Sequence, residues 1–355
     1  MSIYIFLGLF GFFFSFLELA TNKKNTNEKL ILYFAYIFFS ILLIILQGFR
    51  SEVGHDYLAY KKYYESIDVM NSNFEIGFKS LVFVFRKINL SYNAFQVIMS
   101  FFTGLIFYTF IYKNTRFPIF FLYIYLCIFF FPINFSQIRQ QISICILMMF
   151  TLLNKKHSKL ITIIGLILAA TFHRTCLILV FVPLVEIAIK KKSKTFLLFL
   201  FGISICLMLY SKIILDFLIS LLAKLTFLPT VILNTVYYYT ERMNLANIGA
   251  GVYASFILCF IILIFSEKEN KNTFYFMIAF LLDKAGFIAV VIQRFAYYFY
   301  FNKLGLTSYS NVIINKKNKG TKKILSLFLL LTYFFLVYIK YLIDVGSFIV
   351  PYKFF

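Results

Sequence analysis

Four apolar runs of this sequence begin or end in arginine, at Arg50, Arg139, Arg174 and Arg294. Only seven arginines occur among 35 basic residues. Of the 19 basic residues in short loops between apolar runs, 18 are lysine. A membrane-orientation signal needs charge alone, which lysine supplies. A guanidinium adds a planar, always-charged fork that grips phosphate bidentately, so this arginine set reads as a phosphate site. Arg139 stands in FSQIRQQ, with Gln137 and Gln141 one helical turn apart. Next to Arg174 is His173, the one histidine in an apolar context. Imidazole is suited to accept a hydroxyl proton near neutral pH, and a neighbouring Arg174 disfavours the imidazolium. The competing base is Asp56, anionic at neutral pH. It lies in the polar stretch RSEVGHDYLAYKKYYES that starts at Arg50. Within that stretch a helix puts Tyr57, Tyr60 and Tyr64 on one stripe, whose flat faces and polar tips suit sugar rings and equally a membrane interface. Glu52, His55 and Asp56 are spaced too unspecifically to define a metal site, and the five cysteines show no CxxC spacing. No metal or cofactor is expected.

What must position these groups is an array of membrane helices. The chain is 62% hydrophobic and 14% charged, with 50 Phe and no Trp; a soluble domain keeps roughly a quarter of its residues charged. About 20 apolar residues cross a bilayer. Twelve runs meet or approach that length, at about 3–19, 30–49, 92–112, 117–134, 137–153, 160–174, 176–189, 196–213, 249–266, 273–292, 295–314 and 324–343; several abut, so ten to twelve spans are expected. The first lacks a basic leader and a cleavage site and reads as a retained helix. The expectation is an all-α, polytopic membrane protein forming a single domain over 1–355. A net charge of +21 raises nucleic acid as a partner. Its concentration in short lysine-rich loops argues instead for positive-inside orientation. Those loops then face the cytoplasm, while both termini, the 50–91 loop and the 214–248 loop face outward. Segment 75–88 (EIGFKSLVFVFRKI) is apolar but short. It reads as an outer amphipathic or re-entrant helix, with Lys79 and Arg86 on one face and lipid phosphate as one partner for them. Asp283 and Lys284 fall mid-run, where neighbours on a helix point about 100° apart and pair poorly. Their partners then lie on other helices, or the run is broken there. Glu186 and Lys190 have helical i,i+4 spacing.

The sequence has no GxSxG, P-loop, HExxH or GxGxxG, so neither a nucleotide-driven enzyme nor a soluble-type hydrolase is indicated. Arg50 with Val53-Gly54, Asp56-Tyr57 and Tyr60, then Glu75 with Gly77, resembles the RxxVGxDYxxY…ExG pattern of the EpsG family of Wzy-like exopolysaccharide and capsule polymerases. QIRQ at 137–140, FHR at 172–174, QRFAYYF at 293–299 and PYKFF at 351–355 follow in family order. His55 departs from the small polar residue expected there. The resemblance implies a bacterial plasma-membrane glycosyltransferase acting at the outer face. Its substrate would be an undecaprenyl-pyrophosphate-linked oligosaccharide, with membrane lipid around it and a flippase and chain-length regulator as pathway partners. It implies His173 or Asp56 as catalytic base. Arg50, Arg139, Arg174, Arg294, Tyr57, Tyr60 and Glu75 would bind substrate. The alternatives are a lipid-linked oligosaccharide flippase, favoured by Asp283-Lys284, and an O-antigen-ligase-like transferase. The charge pattern predicts that a cysteine at Ser66 reacts with an impermeant thiol reagent in intact cells. Reaction only after permeabilisation reverses the orientation.

Overall fold

The computed structural model describes residues 1–21, 26–66, 69–70, 73–154, 156, 158–190, 194–223, 250–265, 271–288, 290–310, 321–344, 349–350 and 352–354. Most of the 214–248 loop lies outside them, as do the lysine-rich stretches at 22–25, 191–193, 266–270 and 311–320. Helix accounts for 84%, and no strand forms among the described residues. Among the described residues four helices are long and apolar enough to cross a membrane, or five if one bent pair counts as a span. Shorter apolar helices accompany them, and the chain is an all-helical membrane protein.

Two compact units divide the chain. The first is Met1–Leu177 with Lys316–Phe355. It contains α1 (Ser2–Ala20), α2 (Thr26–Gly48), α3 (Tyr57–Glu65), α4 (Ile76–Lys87), α5 (Tyr92–Asn114), α6 (Pro118–Ile128), α7 (Ile138–Leu153) and α8 (Lys159–Ala170). The 23-residue Thr321–Ile343 helix near the C-terminus belongs to it too. At its centre is α6, buried from Pro118 to Cys127. A helix apolar on every face must be enclosed, and α1, α2, α5 and the Thr321–Ile343 helix pack on it. Gly11 makes the approach of α1 possible, since a Cβ there would stand 2.8 Å from the Tyr123 ring. The 11 residues of α6 reach about 16 Å, far short of a bilayer core. Run 117–134 is therefore not one helix. Pro132 has no N–H and its ring clashes with the carbonyl four residues back, which is Ile128, the last residue of α6. A π-helical turn, Pro132–Ser136, follows and re-aims the chain into α7.

With little water to solvate them, buried polar groups need partners inside the protein. Tyrosine hydroxyls supply many of these ties. Tyr36 donates to Tyr108 C=O (2.6 Å), Tyr123 to Leu331 C=O (2.8 Å) and Tyr338 to Tyr4 C=O (2.8 Å). Gln47 and Gln141 form a reciprocal amide pair between α2 and α7 (2.9 and 3.2 Å). Glu18, buried on α1, accepts from the Phe120 N–H (2.9 Å). It thereby satisfies one orphan donor at the start of α6 and places negative charge at the positive end of that helix.

The second unit is Ile178–Asn315. A 3₁₀ turn, Arg174–Phe181, leads into it. Its helices, in chain order, are α9 (Val182–Lys190), α10 (Lys194–Leu209), α11 (Ser211–Ala223), α12 (Ala250–Phe265), α13 (Lys271–Ala285) and α14 (Val290–Phe301); the Thr321–Ile343 helix of the first unit is then α15. Run 196–213 bends by 74° between α10 and α11. Run 273–292 is broken after Ala285, and run 295–314 ends at Phe301 before a 3₁₀ turn at Gly305–Ser310. The break after Ala285 releases Asp283 and Lys284 from mid-helix geometry. Against the expectation that they pair poorly, Lys284 Nζ lies 2.9 Å from Asp283 Oδ2, and the Gln293 amide donates to Asp283 Oδ1 (2.9 Å). The Glu186 carboxylate accepts from the Tyr275 hydroxyl (2.6 Å); the Lys190 side chain lies outside the described residues.

Glu18→Leu should cost roughly 1–3 kcal/mol of stability by leaving the Phe120 N–H buried and unmet. Glu18→Gln, which keeps an acceptor, should recover part of this. Thermal unfolding of the two purified variants in one detergent checks it.

Candidate functional site

The polar centre of the first unit is Glu75. It precedes α4, yet its side chain does not cap that helix. The carboxylate is shared instead: Oε2 accepts from Arg139 Nη1, and Oε1 lies 3.3 Å from His173 Nδ1. Gly77 explains how Glu75 gets there. Its N–H donates to Thr171 C=O (2.8 Å), and a Cβ at this position would stand 2.4 Å from Thr171 Oγ1. Only a bare residue lets the first turn of α4 lie on the end of α8, and that contact brings Glu75 to His173. Arg139, second residue of α7, has its guanidinium 4.4 Å over the Phe74 ring and its Nε 3.4 Å from the Tyr60 hydroxyl. Burial alone would raise the Glu75 carboxyl. The His173 hydrogen bond and the Arg139 charge outweigh it and hold the group down at about 2. A carboxylate on Nδ1 fixes the ring and, with the proton on Nδ1, makes Nε2 the basic nitrogen.

A second charged group, Arg50, is 1% exposed at the end of α2. Its Nη1 donates to Gln47 C=O, and its guanidinium lies 4.7 Å from the Phe135 ring centre. Burial pushes it below the ordinary arginine value, and the hydroxyls of Tyr92, Tyr352, Tyr57 and Tyr4 oppose that. The turn after Arg50 is locked onto the π turn. Gly54 adopts φ +104°, where a Cβ would meet Phe135 C=O at 2.6 Å, and His55 N–H donates to Ser136 Oγ (3.2 Å). Arg50, Gln47, Tyr92, Gln96, Thr103 and Gln141 are among the residues lining a small cavity. It holds about 10 Å³, close to the room one ordered water needs.

Helix α3 joins the two groups. Its tyrosine stripe forms as the spacing predicts, and all three rings are buried. Tyr57 packs edge-on against Tyr92 (5.4 Å), Tyr64 on Tyr92 and Phe95, and Tyr60 on Phe74 and Phe78 as well as Arg139. Asp56 is half-buried at the N-terminus of α3 and makes no side-chain capping bond there. The group facing the His173 ring is Glu75, while Arg174 is exposed. Arg294 is half-buried on α14, in the second unit. Helix α4 forms where an amphipathic segment is expected. Lys79 donates to Met70 C=O (3.0 Å) and Arg86 to Ser66 C=O, so both hold the preceding loop. Glu52 pairs with Lys353 (3.0 Å), and among the described residues no three His, Cys, Asp or Glu are gathered to hold a metal.

Reading the sequence alone missed the Glu75–His173 pair. The one local signal for it is the glycine two positions after Glu75. The family model described as the EpsG family matches residues 31–354, nearly the whole chain and all of these groups. No curated protein and no solved structure matches the chain.

Glu75 sits well below the ordinary carboxylate value of about 4.3. The stability it contributes is present above that value and lost as pH falls toward 2. The difference in unfolding temperature between wild type and Glu75→Gln should thus shrink from pH 5 to pH 2.5. A constant difference across that range refutes the ion-paired carboxylate.

Proposed function

The chain belongs to the EpsG family, and we propose on that premise that it is a Wzy-like polymerase of exopolysaccharide biosynthesis. It joins oligosaccharide repeat units carried on undecaprenyl pyrophosphate at the outer face of a bacterial plasma membrane. The topology is multi-pass, with the lysine-rich loops in the cytoplasm. The observation that carries this reading is the Glu75–His173–Arg139 cluster. Glycosyl transfer from a pyrophosphate carrier needs a base for the incoming hydroxyl and positive charge for the departing anion, and the cluster offers both. The hydroxyl of the acceptor sugar gives its proton to His173 Nε2 as its oxygen bonds to the anomeric carbon. The bond from that carbon to the pyrophosphate oxygen breaks, and the carrier leaves with the electron pair. Arg139 stabilises the negative charge that develops. Glu75 is a positioning residue that holds the proton on Nδ1. Arg174 is a further candidate for the pyrophosphate and Asp56 for the sugars, while Tyr57 and Tyr60, buried against aromatic rings, support the cluster from behind. The pyrophosphate carrier is itself the activated leaving group, so the step draws on no nucleotide or cofactor.

Purified enzyme given lipid-linked repeat units should build polymer. His173→Ala should slow it roughly 10²–10⁴-fold, the range for loss of a general base, while lipid-linked substrate still binds. Arg139→Lys should also lose most activity at normal expression, because the fork is gone. Activity that survives His173→Ala but vanishes in Asp56→Asn moves the base to Asp56. Movement of substrate between leaflets with no new glycosidic bond makes the protein a transporter and ends the polymerase reading.

A further inference from the structure

Three residues lining the small cavity at the end of α2 carry polar atoms that meet no hydrogen-bond partner among the described residues. The atoms are Arg50 Nε and Nη2, the Tyr92 hydroxyl and Gln96 Oε1. Arg50 is 1% exposed and the other two residues 4%, so bulk solvent does not serve them. Buried donors and acceptors left unmet are costly. Four of them around one cavity call for a ligand.

The remaining contacts of these side chains say which ligand. Arg50 Nη1 donates to Gln47 C=O, and the guanidinium lies against the Phe135 ring. Gln96 Nε2 donates to two carbonyls, those of Gly48 and Arg50, both at 2.8 Å. That pair of bonds fixes which end of the amide is which, so Oε1 can only accept. The rest of the polar lining is Gln47, Thr103 and Gln141, which are bonded to one another. Whatever fills the cavity must accept from a guanidinium and donate to an amide oxygen at the same time. A halide ion has no proton to give, and Arg50 repels a cation. Water does both, and a buried water typically makes about three hydrogen bonds. The size agrees, since the cavity volume of about 10 Å³ is close to what one water needs.

We propose that this cavity binds a single structural water, held by Arg50, Gln96 and Tyr92, and that Arg50 is the structural cation of the α2–α5–α7 junction. The water donates to Gln96 Oε1, accepts from the Nε–Nη2 edge of Arg50 and bonds the Tyr92 hydroxyl. It links the end of α2 to α5 through neutral dipoles. On the α7 side, the Gln47–Gln141 amide pair closes the same chamber. Gln141 follows Arg139 by two residues, so the hydrated junction backs the turn of α7 that presents Arg139 to Glu75. The Nε–Nη2 edge is the fork with which an arginine grips a bidentate anion, and here the water occupies it. The water site and the structural role of Arg50 stand whatever reaction the Glu75 cluster performs.

Tyr92→Phe in the full-length protein removes one hydroxyl and leaves the ring. If that hydroxyl bonds a buried water, the unfolding temperature in detergent should fall by about 2–4 °C. A phenol without a partner gives the opposite sign, because deleting an unmet polar group relieves its desolvation. A cryo-EM map of the full chain held by a rigid antibody fragment, fine enough to show other buried waters, should contain one peak within hydrogen-bond reach of Arg50, Gln96 Oε1 and the Tyr92 hydroxyl. Wild type should unfold at one temperature in chloride, bromide and gluconate of equal ionic strength. An unfolding temperature that rises with halide in wild type and not in Tyr92→Phe assigns the cavity to an anion and overturns the water. A Tyr92→Phe protein at least as stable as wild type, or a map without the peak, overturns the site.

Discussion

The sharing of one carboxylate between a guanidinium and an imidazole organises the polar part of the first unit. Glu75 accepts from Arg139 on α7 and contacts His173 just beyond α8, so a single side chain draws three elements together. An isolated carboxylate in so enclosed a place would tend to take up a proton. With two partners it stays charged, and the ring of His173 is held in one orientation as a result. The backbone arrangement that permits this is equally specific. The α4–α8 contact depends on the absence of a side chain at position 77.

Around that centre the protein relies on neutral polar groups. Tyrosine hydroxyls reach backbone carbonyls on other helices, and a glutamine pair links α2 to α7. These bonds satisfy donors without placing charge in a medium that solvates it poorly. Among the described residues, enclosed charges include Glu18 at the start of α6, the Asp283–Lys284 pair at a helix break, and the Glu75 and Arg50 centres. The abundance of tyrosine is therefore structural as well as interfacial, and most of these phenols lie deep inside the units.

Much of this was legible in the sequence, and what was not has identifiable causes. Helical periodicity placed Tyr57, Tyr60 and Tyr64 on one face and made 75–88 a helix of its own, as the structure has them. Hydropathy located the long helices but passed over Pro132, because a window of apolar residues averages away the one missing N–H that ends α6. Of the two readings open for Asp283 and Lys284, partners on other helices or a broken run, the structure has the broken run, since the helix stops at Ala285. Glu75 and His173 stand 98 residues apart, and Glu52 and Lys353 stand 301 apart. No local pattern encodes such contacts, since they follow from which helices pack together. Gly77 and Gly54 were visible as letters of a pattern, but the close approaches that require glycine there appear only in three dimensions.

The enclosure of α6 bears on the order in which the protein is made. One of its walls is α15, where Leu331 C=O receives the Tyr123 hydroxyl from 208 residues away. Residues 178–315 are synthesised in between and form a unit of their own. During that interval α6 has an uncovered flank, and a buried phenol waits for its acceptor. Completion of the first unit thus waits until the chain beyond residue 316 has been made. A nascent chain stalled before residue 321 would carry the early helices around an unsealed core, with the Tyr123 hydroxyl lacking its acceptor.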